Sequence, residues 1–279
     1  MKTVFIIGTG IFLLLGYTMF RVINRIEMHG KEIPEDTVED RSFIHGVISI
    51  FLYPLMFITF MVGMSLFIPL VLIFRPKRIL PIVRIIARII LFSSGFILVI
   101  KGKEHIKHPK PYILMFNHQS LYDAFILGAV LFRYMVALGA SYQFDLPVWG
   151  TVIRKWGNIP IQRKNIRAAI EAIELAKKKL ADGTSILIAP EGTRTIDGKM
   201  LPFKKGPFHM ALGAKADILP MAIRGAFEIK RKTDWRINPG VVEVEFGPVI
   251  TFEEYEGMSV EELRDYVRVR IQKLVGEIE

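Results

Sequence analysis

The chain has 279 residues, 51% of them hydrophobic, and no cysteine, which excludes disulfides, thiol catalysis and thiolate metal sites. Its formal net charge of +10 and mean hydropathy of +0.36 describe a basic chain, unusually apolar for a soluble enzyme. Such a charge attracts nucleic acid, anionic lipid or an acidic carrier protein, and the order of apolar and polar stretches is what separates these partners.

Val4 to Phe20 carries no charge and is followed by Arg21 and Arg25, which predicts a short transmembrane anchor. A cleaved signal peptide is the rival reading, but Tyr17-Thr18-Met19-Phe20 ends in bulk rather than in small residues. Residues 21–43 read as a polar linker, with Glu32, Glu35, Asp36, Glu39 and Asp40 around Pro34. Gly46 to Phe74 again has no charged residue. As one straight helix it is about 43 Å long, against a hydrocarbon core of about 30 Å. Pro54 and Pro69 predict a break or kink within it. Arg75, Lys77 and Arg78 then introduce Ile79 to Phe92, where Lys77, Arg84 and Arg88 fall near one helical face. This predicts an interfacial helix with its cations toward phosphate headgroups. The positive-inside tendency places this helix, and the chain beyond it, on the cytoplasmic side of the cell membrane.

From about Ser93 short apolar runs alternate with amphipathic helices, the pattern of an α/β domain. Ile97–Ile100, Tyr112–Phe116, Ser185–Ile188, Ile218–Ile223 and Val241–Phe246 are the predicted strands, the last with one wet face carrying Glu243 and Glu245. Ile166 to Leu180 predicts a helix closed by Lys177, Lys178 and Lys179, with Gly183 beyond it. Ser259 to Glu262 is a capping-box pattern opening a C-terminal helix. The expected organisation is an anchor and acidic linker over 1–42, a two-helix membrane-embedded element over 43–94, and an α/β domain over 95–279. Its fold class is a mixed β-sheet flanked by helices.

Two clusters carry chemistry. Asn117-His118-Gln119-Ser120-Leu121-Tyr122-Asp123 follows the strand Tyr112–Phe116 directly. His118 and Asp123 are about 140° apart on a helix, so they meet only if His118 precedes a helix whose first turn holds Asp123. A carboxylate on one imidazole nitrogen fixes the tautomer and leaves the other nitrogen free to take a proton from an alcohol. Asn117 reads equally as a helix N-cap. Pro190-Glu191-Gly192-Thr193-Arg194 follows the strand Ser185–Ile188, and a glycine turn ending in Arg presents N–H groups and a guanidinium to phosphate. Lys204 and Lys205 lie ten residues on, and Arg163 ends the stretch Gly157 to Arg163.

Taken in order, these pieces closely resemble the glycerolipid acyltransferase family, in particular bacterial 1-acyl-glycerol-3-phosphate acyltransferases. The motif Asn-His-x-Ser-x-x-Asp is matched over Asn117–Asp123, and Gly-x-Ile-x-Ile-x-Arg over Gly157–Arg163. Pro-Glu-Gly-Thr-Arg is intact, with Ala189 and Thr195 where the family usually has Phe and Ser, and Ile218-Leu219-Pro220-Met221-Ala222 fits the fourth segment. The resemblance implies a His118–Asp123 dyad and an acceptor phosphate held by Arg163, Arg194, Lys204 and Lys205. Asn117, Ser120, Glu191, Gly192 and Thr193 complete the expected substrate-binding set. It implies acyl transfer without a cofactor, from an acyl carrier protein or coenzyme A thioester to lysophosphatidic acid among membrane phospholipids, and no nucleic acid. The known N-terminal two-helix element favours burial in one leaflet over a full crossing. Residues 1–42 depart from the pattern. Two alternatives stand beside this reading: the same fold acting on glycerol-3-phosphate, a lysophospholipid or an amino-acid lipid, and a non-catalytic lipid-binding protein.

Overall fold

The computed structural model describes residues 43–162 and 166–278. The expected anchor Val4–Phe20, the acidic linker and Arg163 lie outside the described residues. Two long helices come first, α1 (Phe43–Ile73) and α2 (Pro76–Ser93). The α/β part follows in the order β1 (Phe96–Lys101), β2 (Tyr112–Phe116), α3 (Asp123–Val130), β3 (Met135–Ala140), α4 (Trp149–Trp156), β4 (Ile159–Ile161) and α5 (Ile166–Ala181). It continues with β5 (Ser185–Ile188), α6 (Gly206–Ala214), β6 (Asp217–Arg224), α7 (Ala226–Ile229), β7 (Gly240–Phe246), α8 (Phe252–Tyr255) and α9 (Val260–Val275).

Helix α1 is long and apolar enough to cross a membrane, and of its residues only Ser49, Gly63 and Val71 are buried. It runs through Pro54 and Pro69 as one helix of 31 residues rather than breaking there. Each proline removes only its own N–H from the ladder, so the turns on either side can continue. Gly63 sets the approach of α2: a Cβ there would lie 2.7 Å from Cγ2 of Ile86. A hydrogen bond of 2.7 Å between Thr59 Oγ1 and Ser93 Oγ adds a polar tie between the two helices.

The cations of α2 have neighbours within the protein. Lys77 lies 5.9 Å from the ring centroid of Tyr134, Arg84 lies 5.4 Å from that of Phe132, and Arg88 Nε donates to the Ala129 carbonyl at 3.2 Å. Aromatic faces and a carbonyl in the last turn of α3 attract cations, so this edge follows the seam with the α/β part. Ile82, Ile85, Ile89 and Phe92 are left outward, Phe92 at 77% exposure, continuing the apolar surface of α1. An uncovered surface of this kind fits hydrocarbon rather than water.

The seven strands form one mixed sheet in the order β1-β7-β6-β2-β5-β3-β4. All neighbouring pairs are parallel except β6 with β7. Strand β2 is wholly buried, and its alternating side chains fill two cores. Leu114 and Phe116 join Tyr122, Ile126, Leu219 and Met221 on one face. Ile113 and Met115 join Ile186, Phe208, Leu263 and Ile271 on the other. Each such fully buried aliphatic side chain contributes about 1.5–3 kcal/mol. Helix α9 opens with the expected capping box: Ser259 N–H donates to Glu262 Oε2 at 2.7 Å, and Glu262 N–H donates to Ser259 Oγ at 3.2 Å.

Candidate active site

Strands β2 and β5 are parallel neighbours, with Met115 beside Ile188. The turns that leave their C-terminal ends therefore open on the same edge of the sheet, where α/β folds place reactive groups. This pairing brings Asn117–Asp123 and Ala189–Thr195 together despite their separation in the chain.

Asp123 is the first residue of α3, and its side chain points back over the preceding turn. Its Oδ2 accepts from His118 Nδ1 at 2.6 Å, from Gln119 N–H at 2.8 Å and from Ser120 N–H at 3.1 Å. The residue is 1% exposed. A buried carboxylate is tolerable only with donors such as these, and the helix start adds its own partial positive charge. Because Nδ1 is committed to Asp123, Nε2 of His118 carries the lone pair. The His118 side chain is 30% exposed, so that nitrogen sits in a partly open site.

The turn is fastened from three directions. The Asn117 amide donates to the Ile223 carbonyl at 2.8 Å and accepts its N–H at 2.7 Å, locking the end of β2 to β6. Ser120 Oγ donates to the Lys230 carbonyl at 3.1 Å and accepts from Tyr122 N–H at 3.4 Å. The Tyr122 ring lies 4.3 Å from that of Phe96, and its hydroxyl lies 2.8 Å from Met56 Sδ of α1. Asn117 thus bridges two strands rather than capping α3.

The turn after β5 is held against the first. Gly192 N–H donates to the Ala189 carbonyl at 3.0 Å with φ at +73°, a left-handed conformation that glycine adopts without steric cost. Thr195 N–H donates to the His118 carbonyl at 3.0 Å. Glu191 is 2% exposed and bridges two segments: Oε1 accepts His118 N–H at 2.7 Å and Oε2 accepts Leu201 N–H at 2.7 Å. Burial pushes its carboxyl from the ordinary 4.5 up to about 8, against the pull of the two N–H donors. Arg194 is buried in this turn and Thr193 is partly exposed. Lys204 is exposed, and its main-chain N–H donates to the Pro190 carbonyl at 2.9 Å. The Lys205 ammonium is directed at Glu261 of α9, an exposed pair of the kind that contributes about 0–1 kcal/mol. Strand β4, which leads toward Arg163, lies at the sheet edge beside β3.

Several residues that shape the site are invisible to motif reading. The Ile223 and Lys230 carbonyls and the Leu201 N–H are backbone groups with no side-chain signature. Tyr122 has one, as the aromatic residue inside the His-to-Asp turn.

A family model described as Acyltransferase matches residues 97–224. The chain is 32% identical over 186 residues to the 1-acyl-sn-glycerol-3-phosphate acyltransferase of Limnanthes douglasii, a match covering 66% of this chain and 64% of that protein. It is 29% identical over 245 residues to the enzyme of the same name from Cocos nucifera, covering 84% and 77% respectively. The chain thus spans slightly less than two thirds of the Limnanthes relative. The crystal structure of PlsC, the 1-acyl-sn-glycerophosphate (LPA) acyltransferase of Thermotoga maritima, has the same fold, with a TM-score of 0.72 at 24% identity over 84% of this chain and 97% of that one.

Proposed function

We propose that the chain is an acyltransferase of the kind whose family model it matches over residues 97–224, and that it transfers a fatty acyl group from an acyl thioester to the sn-2 hydroxyl of 1-acyl-glycerol-3-phosphate, giving phosphatidic acid in phospholipid synthesis. The observation that carries this reading is the His118–Asp123 contact at 2.6 Å, with Arg194 on the adjoining turn and the apolar surfaces of α1 and α2 alongside.

In this mechanism Nε2 of His118 takes the proton of the acceptor hydroxyl as that oxygen attacks the thioester carbonyl. Asp123 stabilises the imidazolium. When the tetrahedral intermediate collapses, the carbon–sulfur bond breaks and the imidazolium returns its proton to the departing thiolate, so no covalent enzyme intermediate forms. Arg194 and Lys204, with Arg163, hold the acceptor phosphate and deliver the hydroxyl to His118. Glu191 sets the position of the His118 main chain. Asn117 and Ser120 act through the bonds that shape the turn.

Helices α1 and α2 form the membrane-embedded element in this reading, bedding into one leaflet so that the acyl chains stay in lipid while the head group reacts. The α/β part from residue 95 works on the cytoplasmic side of the cell membrane. The donor is acyl carrier protein or coenzyme A thioester, both anionic and both drawn to a chain of net charge +10. The test is incubation of purified protein in mixed micelles with each labelled donor and a panel of lysolipids. Labelled phosphatidic acid from lysophosphatidic acid is the expected product. Acylation of a different acceptor only, or of none, contradicts the proposal.

A further inference from the structure

Helix α9 ends in a turn that aims one carboxylate back at the site. Gly276, at φ +84°, donates its N–H to the Gln272 carbonyl at 2.9 Å, and Glu277 N–H donates to the same carbonyl at 3.0 Å. This turn leaves the Glu277 side chain facing the loop that follows Arg194. Its Oε1 accepts Met200 N–H at 2.7 Å, and its Oε2 accepts from Gln272 Nε2 at 3.2 Å. Arg268 of α9 also donates to the Met200 carbonyl, at 3.5 Å. Both polar backbone groups of Met200, a residue only 7% exposed, are thus taken up by α9.

The next residue donates the other way. Leu201 N–H goes to Glu191 Oε2, while Glu191 Oε1 takes His118 N–H. Three residues on, Lys204 N–H goes to the Pro190 carbonyl. The loop carrying Lys204 is therefore stretched between Glu191 on the sheet side and Glu277 on the helix side, with adjacent N–H groups on opposite carboxyls. Without the Glu277 acceptor, the part-buried Met200 N–H loses its partner and turns to water, which loosens the backbone at that point.

We propose that Glu277 is a positioning residue for the acceptor-phosphate loop, acting through Met200 and Leu201 on Lys204. It rests on the reading of Lys204 as a phosphate ligand given under Proposed function. Glu277 touches neither substrate nor His118. Its contribution is to the placement of the phosphate, so its loss falls on acceptor binding rather than on the chemical step.

The experiment compares the full-length protein with Glu277→Ala and Glu277→Gln in mixed micelles, varying lysophosphatidic acid and acyl donor separately. Glu277→Ala is expected to raise the acceptor KM about fivefold, with kcat and the donor KM within about twofold of the parent. Glu277→Gln keeps an oxygen for Met200 N–H and is expected to stay within about twofold throughout. Amide hydrogen exchange without substrate supplies a readout independent of the reaction: Met200 and Leu201 lose protection in the alanine variant and keep it in the glutamine variant. Unchanged exchange at both amides overturns the clamp. So does a joint fall in kcat and melting temperature with a rise in both KM values. If the parent fails to acylate lysophosphatidic acid, the proposed function falls, and the exchange measurement still decides whether Glu277 holds the loop.

Discussion

Glu191 accepts the main-chain N–H of His118 at 2.7 Å, so a buried carboxyl on one motif grips the backbone, not the ring, of the base on another. The same side chain reaches Leu201 with its second oxygen. The main chain of the base is therefore placed by a residue that has no direct contact with its titrating nitrogens, while Asp123 orients the ring.

The raised carboxyl of Glu191 has a consequence for stability. Between the ordinary 4.5 and about 8, the folded protein keeps a proton that the unfolded chain has released. The contribution of this group is fully present below about 4.5, declines as pH rises across that window, and levels off above about 8. Glu191→Gln removes the titration and also leaves one of the two N–H donors facing an amide N–H, a loss of about 1–3 kcal/mol. Melting curves from pH 5 to pH 8 are expected to show the parent losing its advantage over Glu191→Gln as pH rises. A constant gap across that range contradicts the assignment.

Asp123→Asn tests the orientation of the base. The neutral amide offers one oxygen to three donors and no charge to stabilise the imidazolium. The expected outcome is a fall in kcat of about a thousandfold, with little change in either KM. Steady-state kinetics on protein whose circular dichroism matches the parent check this.

Arg194 supplies the buried guanidinium of the second turn. Arg194→Ala is expected to raise the acceptor KM at least about tenfold, while Arg194→Lys, lacking the planar fork, recovers only part of the loss. A measured rise in donor KM alone contradicts an acceptor-side role.

The contact between α1 and α2 predicts a packing effect far from the chemistry. Gly63→Val places a branched side chain against Ile86 and is expected to cost about 1–3 kcal/mol. The double variant Gly63→Val with Ile86→Ala recovers part of it. Thermal unfolding of the four proteins of this cycle in detergent gives the coupling directly.

The elements legible in the sequence are those whose pattern is set by local chemistry. Val242, Val244 and Phe246 alternate with two glutamates and form β7, and the Ser259–Glu262 pair caps α9 as its spacing implies. Strand β3 is not legible because Met135–Leu138 follows closely on the apolar run Ile126–Phe132, where a short apolar segment reads as strand or buried helix alike, and its identity comes from pairing with β4 and β5. The ring neighbours of the α2 cations, Tyr134 for Lys77 and Phe132 for Arg84, are not legible in the sequence, since tertiary packing alone brings them together. In the site, the residue types of the dyad are legible from spacing and family resemblance. The backbone bonds from Ile223, Lys230 and Leu201 are not, because any residue has the same N–H and C=O to give.

The most direct measurement is phosphatidic acid formation by His118→Ala, under the conditions in which the parent works. The rate is expected to fall by about a thousandfold or more with the fold retained, because the ring is partly exposed and Asp123 keeps the Gln119 and Ser120 N–H donors. Turnover within about tenfold of the parent, in a folded variant, contradicts the assignment of His118 as the base.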